Sequence, residues 1–344
     1  MKHIYYLQEG ISVEALPEGY DKFYIVENRD IDSVSSRYWY MGDEIQYELE
    51  ALCVDLYDVF QGAVFPDREE YYKNYDIQPR WISRAGMDSD LDISQCELIE
   101  CFSRPIYEHI AKSGFTNDTL MQAYQEIDDK KFKYAYVADC QALINTLQEL
   151  IVGCDGSFIG FYKQLCTLHA DIGEKEGAFY GCGANCQMVY SFLYSFIIQC
   201  HSIFDILTKI AYEMENIKID LDSYAKLASC KTTYKEKKRL KMNTKGTVFE
   251  KCRTTAIIEN LRNELVHNAT WEMNSKIFIN LAGSSITTRY IFLPDFKEDG
   301  TLVAFKNRKR FFSSGKTVNE ELPPLYFDVL QRIHATLIKL NTYV

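Results

Sequence analysis

The chain has 344 residues, 47% of them apolar and 25% charged, with 17 glycines and seven prolines. That composition is globular and excludes a disordered, collagen-like or low-complexity chain, and the length supplies a core for one large domain or two ordinary ones. The formal charge of −11 argues against a protein that coats nucleic acid uniformly.

The charge is uneven. Residues 1–130 carry 11 Lys/Arg against 27 Asp/Glu, whereas residues 131–344 carry 27 against 22. An acidic N-terminal region therefore precedes a region able to meet an anionic partner. The boundary is placed at Asp128-Asp129-Lys130-Lys131, giving an acidic mixed region of unassigned fold over 1–130 and a helical region over 131–344.

In chain order, Phe23-Tyr24-Ile25-Val26 has strand character. Apolar residues then step by three and four, the mark of an amphipathic helix, at Ile45, Leu49, Leu52, Leu56 and Val59. The same spacing returns at Val137, Cys140, Ile144, Leu147 and Ile151. Gly153 to Gly183 is richer in glycine and reads as a loop or short helix. The longest seam runs from Val189 to Met214 and predicts a helix over Asn185–Asn216.

A further helix is expected to begin near Thr247 and to carry Phe249, Cys252, Ala256, Ile258, Leu261 and Leu265. Ile277–Ile279, Arg289–Leu293 and Leu302–Phe305 follow as three candidate strands, with Asp299-Gly300 as a hairpin turn between the last two. Pro323-Pro324 announces a final helix through Tyr326, Leu330, Ile333, Leu337 and Leu340, since proline suits a helix's first position. The expected fold is mainly α: an antiparallel helical bundle with a small β-hairpin or sheet inserted at about 276–312.

Met1–Glu9 has no apolar run fit for a signal peptide, and Met188–Cys200 falls short of the roughly 20 residues that span a bilayer. Eleven scattered cysteines read as reduced thiols. The expectation is a cytoplasmic protein without a membrane partner. Cys154, Cys166, His169, Cys182 and Cys186 lie close in sequence but lack the two tight pairs of a structural zinc site. No metal or cofactor is expected. Gly315-Lys316-Thr317 lacks the upstream glycine of a phosphate-binding loop, that position being Arg310.

One segment stands apart: Glu259-Asn260-Leu261-Arg262-Asn263-Glu264-Leu265-Val266-His267-Asn268-Ala269. Leu261 and Leu265 belong to the apolar seam, which leaves Arg262, Asn263 and His267 off it. Asn263 and His267 are four apart, so an amide–imidazole hydrogen bond is available between them. His267 ends the helix, where the dipole favours a cation. Arginine can hold phosphoryl oxygens as charge builds, and histidine is the side chain best suited to exchange a proton near neutral pH. The bland alternative is a solvated helix end with a Glu259–Arg262 pair.

Arg262 to His267 matches the Arg-x4-His signature of the HEPN superfamily, and the layout of helices around it resembles that family over residues 131–344, with a core in 185–344. The resemblance implies metal-independent RNA cleavage by Arg262, Asn263 and His267 at a composite site between two protomers. The ribose 2′-hydroxyl would attack the adjacent phosphate and leave a 2′,3′-cyclic phosphate, in a defence, stress or toxin role under a regulatory protein or antitoxin. It also allows a non-catalytic alternative, a dimerisation module that binds RNA or a partner protein. The subgroup controlled by modification of a tyrosine two residues after the histidine is disfavoured, because that position is Ala269.

Asp205, on the long helix, is a candidate to orient Arg262, as facing acidic residues do in several HEPN proteins; the alternative is a local pair with His201. Two basic runs are candidate RNA contacts. The first contains Lys235, Lys237, Lys238 and Arg239; the second contains Arg308, Lys309 and Arg310, with Phe311-Phe312 beside it to stack on unpaired bases.

Overall fold

A computed structural model of the chain describes residues 4–5, 12–13, 23–27, 37–41, 43–66, 129–166, 177–217, 227, 240–268, 272, 274–282 and 285–343. Among these, the helices are α1 (Asp43–Val64), α2 (Asp129–Cys166), α3 (Ala184–Glu215), α4 (Arg253–His267) and α5 (Val318–Asn341). The fold is mainly helical with a small three-stranded antiparallel sheet. Two compact units are interleaved in sequence. The first comprises Met1–Leu52, Leu147–Leu207 and Asn243–Ile338; the second comprises Cys53–Thr146, Thr208–Met242 and Lys339–Val344.

In the first unit, Phe158 of α2, Phe196 of α3 and Tyr326 of α5 meet with ring centroids 4.8–5.8 Å apart. All three are fully buried, as are Val189, Leu193, Cys200 and Ile203 along α3. By length and apolar composition α3 passes as a membrane span, yet half of its most apolar window is buried inside the fold. Packing against α2 and α5 requires the same apolar seam.

Of the loop or short helix expected over Gly153–Gly183, the part to Cys166 is instead the second half of α2, Gly177–Gly181 is a strand, and 167–176 lie outside the described residues. Two of its glycines face α3: a Cβ on Gly160 would lie 2.5 Å from the Phe192 ring, and one on Gly153 3.0 Å from Gln199. Small residues here let two helices approach closely, and Ser157 Oγ meets Ser195 Oγ at 3.1 Å between them. Gly153 and Gly160 thus reflect tight packing and not irregular backbone.

The final helix begins at Val318, so Pro323 and Pro324 fall inside it rather than opening it. Proline has no N–H, which frees the Asn319 carbonyl that Pro323 would otherwise engage. Tyr162 Oη–H donates to that oxygen at 2.9 Å. The buried Asn319 side chain donates to the Arg289 carbonyl and accepts from the Ile291 N–H, tying α5 to the sheet.

Four short strands come first in the chain, β1 (Ile4–Tyr5), β2 (Ser12–Val13), β3 (Phe23–Glu27) and β4 (Arg37–Met41); the sheet itself is β5 (Gly177–Gly181), β6 (Ile277–Ala282) and β7 (Ser285–Tyr290), all antiparallel, in the order β5-β6-β7. The third strand expected from Leu302–Phe305 comes from β5 instead. Leu302 and Phe305 make isolated bridges only, to Phe296 and Arg308. Pro294 interrupts the preceding segment, because it cannot donate to a ladder. The Asp299-Gly300 turn does form, with Gly300 at φ +82°. Near the N-terminus, Phe23–Glu27 pairs antiparallel with Arg37–Met41, in line with the strand expected there.

In the second unit, Tyr136 donates to Glu213 Oε2 at 3.2 Å. Burial, with the neighbouring Glu213 carboxylate, pushes the Asp139 carboxyl up to about 6. Glu215 accepts the backbone N–H groups of Lys241 and Met242.

Candidate active site

Helix α4 starts six residues later than its apolar seam suggested, after the turns of 244–250, with the Cys252 N–H donating to Thr255 Oγ1 at 3.2 Å. Its buried seam is Thr255, Ile257, Ile258, Leu261 and Glu264. Arg262 and Asn263 are half-buried off that seam, and His267 is exposed at the last turn. Asn268 closes the helix, its N–H donating to the Glu264 carbonyl at 2.9 Å.

The expected Asn263–His267 bond is replaced by a bridge through arginine. Arg262 Nη1 donates to Asn263 Oδ1 at 3.1 Å and lies 3.3 Å from His267 Nε2. A guanidinium has no lone pair to offer, so as a hydrogen bond this contact needs the lone pair on Nε2. Arginine reaches its partner because its long side chain spans the offset between positions five apart on a helix.

Asp205 is not part of this group. Its carboxylate lies 3.3 Å from His201 Nδ1 on the same helix face, the local i, i+4 pair. Arg262 is bonded to Asn263 and His267 instead, so Asp205 does not orient it.

Glu264, which sequence reasoning passed over, is 6% exposed although it is a carboxylate. Its signal was its place three residues after Leu261 on the buried seam. Lys309 Nζ lies 3.3 Å from Glu264 Oε1, and Asn268 Nδ2 donates to the same oxygen at 3.1 Å. Arg310 Nη2 donates to the Asn268 carbonyl at 2.7 Å. Two residues of the second basic run, more than 40 positions away in sequence, thus sit on the last turn of the motif helix. Cations are favoured there by the helix dipole.

The segment that carries them follows α4 along its length. At the first turn, Arg253 Nη1 donates to the Lys297 carbonyl at 2.9 Å. Gly300 lies so close that an added Cβ would be 2.4 Å from the Arg253 carbonyl oxygen and 2.9 Å from Ala256 Cβ. Asn260 Nδ2 reaches the Gly300 carbonyl at 3.4 Å. Farther along, Asp295 accepts the N–H and hydroxyl of both Ser313 and Ser314. Burial raises its pKa, but those four bonds outweigh burial and hold the carboxyl down at about 2.

Arg262 therefore contacts His267, while Lys309 and Arg310 meet Glu264 and Asn268 on the same last turn of α4. Arg308 is exposed beside them, whereas Lys235, Lys237, Lys238 and Arg239 of the first run lie outside the described residues. Phe311 and Phe312 are half-buried rather than presented to solvent. An apolar groove of about 170 Å³ on another side of α4, lined by Leu193, Ile197, Ile257, Leu261, Leu293 and Leu322 among others, includes none of the three motif residues. Of the three, His267 is exposed, whereas Arg262 and Asn263 are half-buried.

Of the cysteines weighed for zinc, Cys154 and Cys186 are buried and Cys182 is exposed, and Cys154 Sγ lies 3.3 Å from Cys200 Sγ. Among the described residues no group of His, Cys, Asp or Glu is arranged to hold a metal.

No protein-family model, curated protein or solved structure matches this chain.

Proposed function

We propose that this protein is an endoribonuclease of the HEPN kind, acting without a metal through Arg262 and His267. The observation that carries the reading is the 3.3 Å contact between Arg262 Nη1 and His267 Nε2 at the end of α4, with Lys309 and Arg310 brought beside it. The mainly helical fold, the motif at a helix end and the final helix after a sheet-containing insertion are consistent with the family resemblance.

In the proposed reaction the ribose 2′-oxygen attacks the adjacent phosphorus while its proton passes to a base, and the P–O5′ bond breaks. The products are a 2′,3′-cyclic phosphate and a 5′-hydroxyl, the 5′-oxygen taking up a proton. His267 exchanges a proton with the reacting oxygens. Arg262 moves its donors from Asn263 and His267 to the phosphoryl oxygens, where charge accumulates. Asn263 holds the guanidinium in place beforehand. A second copy of the chain would bring its own motif to the same phosphate, and a regulatory protein or antitoxin would keep the activity in check.

The test is incubation of the purified protein with RNA in EDTA, with end-group analysis of the products. Cyclic-phosphate ends that vanish in Arg262→Ala and His267→Ala support the reading. Absence of cleavage of every RNA tried, with no difference in toxicity between wild type and these variants, removes it.

A second reading, a non-catalytic module that binds RNA or a protein, draws on the internal partners of Lys309 and Arg310, which give both a structural role. It predicts RNA binding that survives both motif substitutions and weakens steeply with salt.

A further inference from the structure

Beyond the motif, the basic segment ends in a turn with its own design. Phe305 and Arg308 exchange both backbone hydrogen bonds at 2.9 Å, which closes a hairpin on two residues, Lys306 and Asn307. Both have positive φ, 45° and 67°. This is the type I′ turn whose twist matches flanking strands, and glycine or asparagine usually fills it. Lysine at the first position is strained, because its Cβ crowds the backbone in the left-handed region. The strain keeps a cation at the tip where glycine would be conformationally easier, an outlier of the kind that marks a working surface.

The turn displays an aromatic ring. Phe305 is 62% exposed, and Lys306 Nζ stands 5.3 Å from the centre of its ring. Around it, residues 302–316 contain Lys306, Arg308, Lys309, Arg310 and Lys316 with no acidic residue, inside a chain of net charge −11. Lys309 and Arg310 fasten the base of the hairpin to the turn of α4 that holds His267. An exposed ring among cations, anchored beside the motif, matches the chemistry of a polyanion that also offers flat apolar faces.

We propose that the Phe305–Arg308 hairpin is an arm that stacks on an unpaired RNA base, with Arg308 and Lys306 on the flanking phosphates, so that the neighbouring site takes single-stranded RNA and not duplex. This deepens the ribonuclease reading and rests on its assignment of RNA as the ligand. In a duplex each base is already stacked between its neighbours and its faces are closed to Phe305. Unpaired bases leave a face free, and aromatic side chains hold them with little regard to sequence.

The experiment measures binding apart from cleavage. Full-length wild-type protein is titrated with a fluorescent 2′-O-methyl RNA 12-mer, which lacks the attacking hydroxyl, and with the same strand in a blunt duplex. The expected result is tighter binding of the single strand. Phe305→Ala weakens that binding roughly 10-fold at fixed salt, while Phe305→Trp retains it. Lys306→Gln lowers the slope of log affinity against log salt by about one contact.

Equal affinity for both forms of RNA, or no loss in Phe305→Ala, overturns the proposal. So does preferential binding of poly-glutamate over RNA, which would assign the arm to an acidic protein partner. Because the probe cannot be cleaved, a preserved single-strand preference without any nuclease activity on natural RNA would sink the catalytic reading alone.

Discussion

Lys309 Nζ and Glu264 Oε1 are 3.3 Å apart, joining the basic hairpin segment to a buried carboxylate on the motif helix. Removing Lys309 leaves Glu264 buried with only Asn268 as a partner. Lys309→Ala should therefore lower stability by about 1–3 kcal/mol, measured by urea unfolding. Glu264→Gln keeps an acceptor for both partners and should cost less. Equal losses in the two variants would show that the ion pair does not fasten the segment.

Arg262 Nη1 touches both Asn263 and His267, and in the proposed reaction its donors must pass to the phosphoryl oxygens, which a guanidinium fork matches better than a point charge. Arg262→Lys should reduce RNA cleavage roughly 100-fold or more while leaving the melting temperature within about a degree. Asn263→Ala removes only one acceptor and should cost roughly 10-fold. Full activity in Arg262→Lys would show that a point charge suffices.

Gly300 combines positive φ with contact to the first turn of α4. Backbone atoms, not a movable side chain, block the added methyl group. Gly300→Ala should destabilise the protein by about 2–4 kcal/mol and increase proteolysis between residues 297 and 316. An unchanged digestion pattern would mean that the segment is held without this contact.

Gly160 tests the helix packing. A methyl group there meets the Phe192 ring, so α2 and α3 must separate or the ring must turn. Gly160→Ala should cost about 1–3 kcal/mol in denaturant unfolding, despite alanine's better helix propensity. A stabilised variant would show that propensity outweighs packing at this position.

Asp139 predicts a dependence on pH. Its carboxyl is raised from 3.8 to about 6, chiefly by burial and then by Glu213, so the folded state holds a proton that the unfolded chain has released. Stability from this group is therefore lost as pH rises from about 4 through 6, and the penalty is complete above that. Asp139→Asn should raise the melting temperature by on the order of a few degrees at pH 7.5, with the gain gone near pH 4. A gain of the same size at both values would rule out this titration.

Apolar periodicity made much of the helical framework legible. Val137, Cys140, Ile144, Leu147 and Ile151 are all buried on α2, and α3 lies within a residue of its expected ends. Where local texture misled, a tertiary contact explains it. Glycines that looked like loop sit against Phe192 and Gln199; prolines that looked like a helix start lie inside α5, where Tyr162 takes the freed carbonyl. The third sheet strand was out of reach, since nothing in Gly177–Gly181 names β6 as its partner.

At the candidate site, the chemical residue types were readable because Arg262, Asn263 and His267 fall off an apolar seam within six positions of one helix. Their partners were not. Asp205 satisfies itself with His201, and the carboxylate that matters to the segment is Glu264.

The amino-acid order alone determined the helical periods, the charge division and the placement of an arginine and a histidine at one helix end, because these depend on neighbours a few residues apart. Only the tertiary structure decided that Lys309 and Arg310 return to that helix end and that Phe305, not Phe311 or Phe312, faces solvent. Those outcomes depend on a loop closing over more than 40 residues, and what holds it there is the fit of Gly300, Asp295 and Glu264 to groups far away in the chain.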